Sequence, residues 1–198
     1  MLPLGNWIYI GHLMNDRQSK GLEALVRAAG EGAGARPVES WEPPYCGDIG
    51  MAIRRDGTWI YQNSPIGRAA LVKLFASILR KDADGQTYLV TPAEKVDVDV
   101  EDAPFLAVEM AVEGTGDKQL LTFRTNVDDV VTVGAEHPLR FCRQDPTGGL
   151  KPYVLVRGRL EALVTRAVYA DLVELAVPRA GDAGALGVWS GGVWWEME

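Results

Sequence analysis

One segment constrains the fold of this chain more than any other: residues 46–79, CGDIGMAIRRDGTWIYQNSPIGRAALVKLFASIL. Two short stretches with strand character flank Asp56-Gly57, a pair that is typical of a type I′ hairpin turn. Ser64 is a favourable N-cap and Pro65 suits the first helical position, so a helix is predicted to follow the hairpin. The apolar face of this helix is predicted to contain Leu71, Leu74, Phe75, Ile78 and Leu79. The segment therefore predicts a hairpin that leads directly into a capped helix.

The chain after Pro92 is almost wholly β in character. The run EKVDVDVED alternates valines with acidic residues, which predicts one buried face and one solvated, acidic face. Six further strands are predicted at 105–112, 119–125, 130–134, 138–143, 152–157 and 160–164. A helix with Thr165 as its cap follows them and ends before Pro178. Seven consecutive antiparallel strands capped by a C-terminal helix are the element order of a pleckstrin-homology-like barrel.

The order of hairpin and helix occurs twice, at 49–80 and at 138–177, which indicates a duplicated architecture. We therefore predict an α+β fold with two β-rich subdomains, the C-terminal one a seven-stranded antiparallel barrel capped by a helix. Residues 1–36 are predicted to form an extension with a short helix and a Gly/Ala linker. The N-terminal α+β subdomain is predicted to span residues 37–92, and the C-terminal subdomain residues 93–198.

The first thirteen residues are apolar, but they are too few to span a bilayer and lack a basic n-region and a cleavage site. They are expected to be a start-site artefact or a disordered extension, with Met14 as the alternative start. Apolar residues recur at helical spacing from Leu22 to Ala29, which predicts a short helix at about 17–29.

The charge balance limits the partners that the chain can bind. A net charge of −7 and a pI near 4.9 argue against sequence-independent binding of nucleic acid, which needs a basic face. Cys46 and Cys142 lie far apart without CxxC spacing, so the sequence indicates neither a disulfide framework nor a zinc ribbon. A reducing, cytoplasmic location is the resulting expectation, and a local basic pocket for a small anion is still allowed.

The turn Ser64-Pro65-Ile66-Gly67-Arg68 is the best candidate for an anion site. A helix N-terminus exposes unpaired N–H groups and a partial positive charge, and both favour an anion. Gly67 would let a ligand approach the backbone, and Arg68 could hold a phosphate or carboxylate in bidentate geometry. The alternative interpretation is an ordinary capped helix with a surface arginine.

A second set of residues is predicted to lie at strand ends or turns near the expected junction of the two subdomains. It consists of Trp59, Tyr61, Thr91, Glu94, Asn126 and Arg157. Aromatic rings could stack on a base while an amide and a carboxylate recognise its edge. The alternative is that the rings pack the hairpin against its helix, an explanation that suits Trp59 better than Tyr61.

The loop Cys46-Gly47-Asp48 could present a rigid thiol beside a carboxylate that caps or orients a neighbour. A catalytic thiol needs a base or a cationic environment. The two histidines of the chain are His12, in the extension, and His137, in a predicted turn. A buried, inert cysteine is therefore the leading interpretation, with redox sensing by Cys46 as another.

Six carboxylates offer possible oxygen ligands for a hard cation: Asp97, Asp99, Glu101, Asp102, Asp128 and Asp129. Such an ion needs six or more converging oxygens, whereas alternate acids on one strand lie roughly 6–7 Å apart. Solvated acidic faces also prevent wrong pairing at sheet edges. No metal site is predicted, and the sequence also lacks GxxxxGK[ST], GxSxG and HExxH.

Five blocks between about Pro43 and Val193 are informative together: the opening segment 46–79, YLVTPAEKVDVDVEDAPFLAVEM, LTFRTNVDDVVTVGAEHPLR, PYVLVRGRLEALVTRAVYADLVELA and LGVWSGGV. With these blocks, most of the chain resembles an uncharacterised bacterial family, the domain of unknown function 1285. The resemblance implies a duplicated core of two subdomains, the second loosely similar to a pleckstrin-homology domain. It also implies a site between the subdomains for a nucleotide-like ligand in signalling, and it implies no activity.

The sequence as a whole favours a cytoplasmic, non-enzymatic module that binds a small anionic, nucleotide-like ligand between the subdomains. Its proposed ligand-binding residues are Ser64, Ile66, Gly67, Arg68, Tyr61, Trp59, Cys46, Asp48, Thr91, Asn126 and Arg157. The alternatives are a protein–protein interaction module and an enzyme that uses Cys46 or the acidic residues. No catalytic residue or cofactor is identified.

Overall fold

The computed structural model describes Val26 and residues 36–143, 149–179 and 181–197. The predicted alternative start at Met14 and the predicted helix at 17–29 lie outside these residues, apart from Val26, which is helical. The chain divides into two compact units. The N-terminal unit comprises Met1–Ala52 and Trp59–Asp99, and the C-terminal unit comprises Ile53–Thr58 and Val100–Glu198.

The N-terminal unit contains a six-stranded sheet. Its strands are β1 (Tyr45–Ile53), β2 (Trp59–Tyr61), β3 (Ser64–Pro65), β4 (Leu79–Lys81), β5 (Thr87–Val90) and β6 (Lys95–Val100), in the order β3-β2-β1-β6-β5-β4. Helix α1 (Ala69–Ser77) connects β3 to β4, and a short 3-10 helix (Val38–Ser40) precedes β1. Trp59, Phe75 and Leu89 are among the buried side chains of this unit.

The C-terminal unit contains a second six-stranded sheet and a three-stranded one. The six strands are β7 (Phe105–Glu113), β8 (Leu120–Thr125), β9 (Val130–Thr132), β10 (Leu139–Arg143), β11 (Leu150–Arg157) and β12 (Leu160–Val164), in the order β10-β11-β12-β7-β8-β9. A 3-10 helix (Gly116–Lys118) precedes β8, and helix α2 (Arg166–Glu174) follows β12. The small sheet consists of β13 (Val177–Arg179), β14 (Asp182–Ser190) and β15 (Val193–Glu196).

The two six-stranded sheets have the same strand order. When each sheet is numbered from its own first strand, both read 3-2-1-6-5-4 from one edge to the other. In each sheet, the first strand of the first three-stranded meander therefore pairs with the last strand of the second meander, β1 with β6 and β7 with β12. By this order, β1–β3 correspond to β7–β9. The predicted match of 49–80 with 138–177 follows the order of elements along the chain, but it does not follow the strand order.

The prediction of an α+β fold with two subdomains is confirmed, whereas a seven-stranded pleckstrin-homology-like barrel is not confirmed. The acidic strand β6 has the predicted alternation, with Val96 and Val98 buried, but it pairs with β5 in the first sheet. The second sheet therefore has six strands. It also contains one parallel pair, because β12 runs alongside β7 in the same direction. The period of two showed which residues are buried, but it could not show which sheet they belong to.

The predicted type I′ turn at Asp56-Gly57 is wrong. The N–H of Gly57 donates to the Arg54 carbonyl and the N–H of Arg54 donates to the Thr58 carbonyl, both at 2.9 Å. Gly57 has φ +82°, but Asp56 is not among the residues with positive φ. This pattern is a three-residue connection that ends in a left-handed glycine. A β-carbon at Gly57 would lie 2.9 Å from Asn126 Nδ2, so the position also needs glycine for space.

The predicted start of the helix at Ser64 is also wrong. Gln62 and Asn63 have φ of 48° and 64°, which makes them a two-residue turn, and Ser64 pairs with Tyr61 on the returning strand. Pro65 lies on β3, an edge strand, where its missing N–H costs no ladder hydrogen bond. The helix begins four residues later than Ser64 suggests, with Arg68 as its N-cap.

Two features near the chain end agree with the sequence. Helix α2 begins after Thr165, as predicted, and Ser190-Gly191-Gly192 turns the chain from β14 into β15. The Ser190 hydroxyl donates to the Val133 carbonyl and accepts from the Leu121 N–H, which fastens this turn to the second sheet. Within the described residues, every helix is too short or too polar to cross a membrane.

Candidate functional site

The β2–β3 hairpin brings together four of the predicted site residues. Tyr61 and Ser64 are register partners, and the N–H of Ile66 donates to the Trp59 carbonyl at 2.8 Å. Burial raises the pKa of the half-buried Tyr61 phenol. The backbone of β2 and β3 therefore fixes these residues beside one another, independently of any ligand.

The predicted anion-binding turn is open to solvent. Arg68 is exposed, and nothing lies within 4 Å of the position that a β-carbon on Gly67 would occupy. The N-terminus of α1 has no side-chain cap hydrogen bond. A ligand could reach this backbone, so anion binding at Ser64–Arg68 stays a prediction, with Arg68 rather than Ser64 at the cap position.

Trp59 is part of the core of the N-terminal unit. It is 1% exposed, and its ring stacks on Phe75 of α1 with the centroids 6.3 Å apart. Its indole N–H is buried and has no hydrogen-bond partner among the described residues. The geometry fits the packing interpretation of this tryptophan.

The predicted loop Cys46-Gly47-Asp48 is wrong, because these residues lie on β1. They and the turn after β5 have local structural roles. Cys46 is exposed rather than buried, so the expectation of a buried thiol is wrong; its Sγ lies 3.5 Å from the Pro44 carbonyl. Asp48 Oδ1 accepts the Gly50 N–H at 2.7 Å, which is the orienting role considered for it. Thr91 is fully buried, and its hydroxyl accepts the Glu94 N–H at 3.1 Å.

Asn126 and Arg157 belong to the C-terminal unit, where both are held by protein contacts. Asn126 Oδ1 accepts the Leu106 N–H at 3.0 Å. The Arg157 guanidinium pairs with Asp129 and lies 4.9 Å from the centroid of the Phe105 ring. These contacts order the end of β8 and the β11–β12 turn, and a ligand would have to compete with them.

The acidic residues that were considered as metal ligands are largely used by protein donors. Asp97 accepts the Tyr45 hydroxyl, Glu101 pairs with Arg54, and Asp128 pairs with Arg124. No group of three or more His, Cys, Asp or Glu side chains suited to a metal ion occurs within the described residues.

The C-terminal unit contains a cavity of about 990 Å³ that sequence reasoning missed. Its cationic side chains are Arg55, Lys151 and Arg166. They come from three separate places in the chain, the tip of the first hairpin, β11 and the start of α2. A convergence of this kind depends on the fold, so spacing along the sequence gave no signal for it. Only the placement of Arg166 directly after the predicted cap Thr165 was visible in the sequence.

One of the cations is anchored by a buried carboxylate. Lys151 Nζ lies 2.5 Å from Asp102 Oδ2, and the Tyr153 hydroxyl donates to Asp102 Oδ1 at 2.7 Å. Burial alone would raise the pKa of Asp102, but the hydrogen bonds from Lys151 and Tyr153 outweigh it and hold this pKa below its ordinary value. Asp102 is therefore ionised at neutral pH and fixes the lysine at the cavity wall.

The other two cations are less constrained. Arg55 Nε lies 3.7 Å from Asp102 Oδ2, but the arginine side chain is 67% exposed. Arg166 is exposed at the first position of α2. Thr165 and Tyr169 line the cavity beside it, and the Thr165 side chain makes no cap hydrogen bond to the helix. Cations and hydroxyls in the lining of one cavity can bind an oxyanion.

The remaining wall of the cavity is mainly apolar. It is formed by Leu106, Leu150, Pro152, Leu163 and Val164. Neither a cysteine nor a histidine occurs in the described lining. A lining that is part cationic and part apolar suits binding of a small molecule.

Fold and site together define a two-unit α+β protein whose units repeat one strand order and whose C-terminal unit contains a cationic cavity with an apolar wall. Family models match nearly all of the described chain. Residues 36–103 match "Domain of unknown function (DUF1285), N-terminal domain" and residues 104–197 match "Protein of unknown function (DUF1285), C-terminal domain". The chain belongs to the DUF1285 family.

Two crystal structures of DUF1285 family proteins are similar to this chain. The protein from Silicibacter pomeroyi DSS-3 is 44% identical with a TM-score of 0.80, and the match covers 87% of this chain and 93% of that one. The protein from Shewanella baltica OS155 is 29% identical with a TM-score of 0.50, over 64% of this chain and 91% of that one. A search of the curated proteins gave no match.

Proposed function

We propose that this chain is a cytoplasmic, non-enzymatic binding protein for a small anionic, nucleotide-like ligand, with a role in signal transduction. The observation that carries the proposal is the cavity of the C-terminal unit, where Arg55, Lys151 and Arg166 converge. A volume of about 990 Å³ is at the upper end of the range for small-molecule sites. A chain with a net charge of −7 gathers three cations at one concave surface, and such a surface attracts anions locally.

Two arms of one experiment distinguish the candidate anion sites. The full chain is screened by thermal shift against mononucleotides and other small phosphates. A ligand at 100 times its Kd should raise the unfolding free energy by about 2.7 kcal/mol. Arg166→Gln should reduce the shift if the ligand lies in the cavity, whereas Arg68→Ala should reduce it if the ligand lies at the predicted turn Ser64–Arg68.

Arg159→Gln is the matched control, because Arg159 is an exposed arginine in the β11–β12 turn and does not line the cavity. It should leave every shift unchanged. If no anion in the screen stabilises the chain, or if each hit is insensitive to both Arg166→Gln and Arg68→Ala, the proposal is wrong.

A protein–protein interaction module is the second candidate function. It is favoured by three exposed apolar side chains in the small sheet, Val177, Leu186 and Val193. Affinity capture from a lysate of the source organism should then recover a stoichiometric partner. Leu186→Lys should abolish that recovery, and the screen of small anions should give no hit.

A further inference from the structure

We propose that the cavity of the C-terminal unit selects a ligand with a single oxyanion head group on an apolar or aromatic body, and discriminates against free phosphate and polyphosphates. This inference rests on the proposed function and specifies the chemistry of the ligand. It is carried by the number of uncompensated charges at the cavity and by the apolar composition of the rest of its lining.

The charge of the cavity suits an anion with one or two negative charges. Three cations line it, but Asp102 holds Lys151 at 2.5 Å and also lies 3.7 Å from Arg55. Asp56 lines the cavity itself and is the second carboxylate, after Asp102, that offsets the cations. Three cations and two carboxylates leave one net positive charge, so a triphosphate would bring several charges that these side chains do not neutralise.

The positions of the cations indicate where the head group would bind. Lys151 is fixed by Asp102 and offers its remaining donors, whereas Arg55 and Arg166 have exposed side chains that can turn toward a ligand. A guanidinium can hold one phosphate or carboxylate by two parallel hydrogen bonds. Arg55 and Arg166 are therefore the head-group residues, and Lys151 contributes a fixed charge beside them.

The wall of the cavity indicates what the rest of the ligand is. Leu106, Leu150 and Leu163, with Pro152 and Val164, present apolar surface, and Tyr169 adds a ring. A free inorganic phosphate would be too small to cover this surface and would leave it hydrated. An apolar or planar body would displace that water, and the displacement is the main favourable term in binding of this kind.

Isothermal titration calorimetry of the full chain with four probes tests the inference: phenyl phosphate, inorganic phosphate, phenol, and ATP without magnesium. Phenyl phosphate should bind at least tenfold more tightly than each of the other three. Arg166→Gln should weaken phenyl phosphate at least fivefold. Leu150→Ser should weaken phenyl phosphate but leave inorganic phosphate unchanged, and Arg159→Gln should change nothing. Far-UV circular dichroism establishes that each variant is folded.

The outcomes separate this inference from the proposed function. If inorganic phosphate or ATP binds as tightly as phenyl phosphate, the selectivity is wrong, whereas anion binding stands. If phenol binds as tightly as phenyl phosphate, or if none of the three anions binds, both the selectivity and the anion-binding function are wrong.

Discussion

The two six-stranded sheets share one strand order, yet each unit places its helix differently. In the N-terminal unit α1 connects the third strand to the fourth, whereas in the C-terminal unit α2 follows the sixth. The common strand order results from the pairing of two three-stranded meanders in each sheet, and it does not depend on where the helix of each unit lies. The two helices therefore occupy different places relative to the common strand order. The first turn of α2 lines the cavity of the C-terminal unit.

The two units also differ in their clusters of charged side chains, one around Arg80 and one around Asp102. Arg80, on β4, is 4% exposed, and each of its three nitrogens donates to the protein. Nε and Nη2 bond Asp82, at 2.6 and 3.2 Å, and Nη1 bonds the carbonyls of Val38 and Trp41 at 2.9 and 2.7 Å. Lys95 Nζ lies 3.2 Å from the same Asp82. The Arg80 guanidinium is therefore held by the N-terminal unit on every nitrogen.

The cluster around Asp102 in the C-terminal unit is open. Lys151 has spare donors and lines the cavity, and Arg55 is mostly exposed. We infer from this difference that the Arg80 cluster stabilises the fold, whereas the Asp102 cluster stabilises the fold and also sets the charge at the cavity.

Arg80→Met should have the largest effect. It removes the Arg80 donor from the Val38 and Trp41 carbonyls and leaves Asp82 with Lys95, so the unfolding free energy should fall by about 2–4 kcal/mol. Urea denaturation measures the loss, and hydrogen exchange should place it in peptides of the N-terminal unit. Anion binding in the cavity should be unchanged in the folded protein.

Arg68→Ala is the control for this change, because it removes an exposed arginine from the same unit. It should alter stability by no more than about 0.5 kcal/mol. A loss below about 1 kcal/mol for Arg80→Met would show that the cluster is not what holds the segment at Val38–Trp41.

Asp102→Asn should lower the stability of the protein but strengthen its binding of phenyl phosphate. The asparagine keeps the shape and can still accept from Tyr153, but it removes the charge that holds Lys151, so stability should fall by about 1–3 kcal/mol. The cavity simultaneously gains one net positive charge, so phenyl phosphate should bind about threefold to tenfold more tightly, which is about 1 kcal/mol. Denaturation and calorimetry on the same sample measure both. Loss of stability with weaker binding would contradict the second role of Asp102.

The sequence predicted the strands of these units well because burial on one face leaves a period of two. The valines of β6 and most strands of the second sheet were recovered in this way. Prediction from the sequence failed where the same spacing of apolar residues fits both a helix and a strand. Ile78 and Leu79 continue the helical spacing of α1, yet the helix ends at Ser77 and Leu79 pairs with Leu89 in β4. Arg80, the next residue along the chain, also lies on β4 and is buried.

The site was harder to predict than the fold for a physical reason. Ser64 and Pro65 have the chemistry of a helix start, but the Gln62-Asn63 turn makes them a strand instead. Arg55, Lys151 and Arg166 are each ordinary surface residues in the sequence, and only the packing of the hairpin tip, β11 and α2 within one unit makes them a cluster.

A smaller effect is expected from acid. Burial alone would raise the pKa of Asp82, but hydrogen bonds from Arg80 and Lys95 outweigh it, and the pKa lies below its ordinary value, as it does for Asp102. The contribution of each carboxylate is therefore complete above its unfolded pKa of about 3.9 and is lost as the pH falls through the lower folded value. The urea midpoint should decrease below about pH 4, and less steeply in an Asp82→Asn, Asp102→Asn double variant. Equal slopes would show that other carboxylates control the acid sensitivity.

The smallest effect should come from Trp59→Phe. Each unit contains one buried indole N–H without a partner among the described residues, in Trp59 and in Trp194. Phenylalanine loses apolar area against Phe75 but also removes a buried donor whose desolvation costs about 1–3 kcal/mol, so the net change should lie within about 1 kcal/mol. Trp194→Phe is the counterpart in the C-terminal unit, where the tryptophan is only half-buried and lies beneath the Arg179 guanidinium at 5.4 Å. A loss of 3 kcal/mol or more at Trp59, measured by urea denaturation beside the Trp194 variant, would mean that its N–H has a partner that stabilises it.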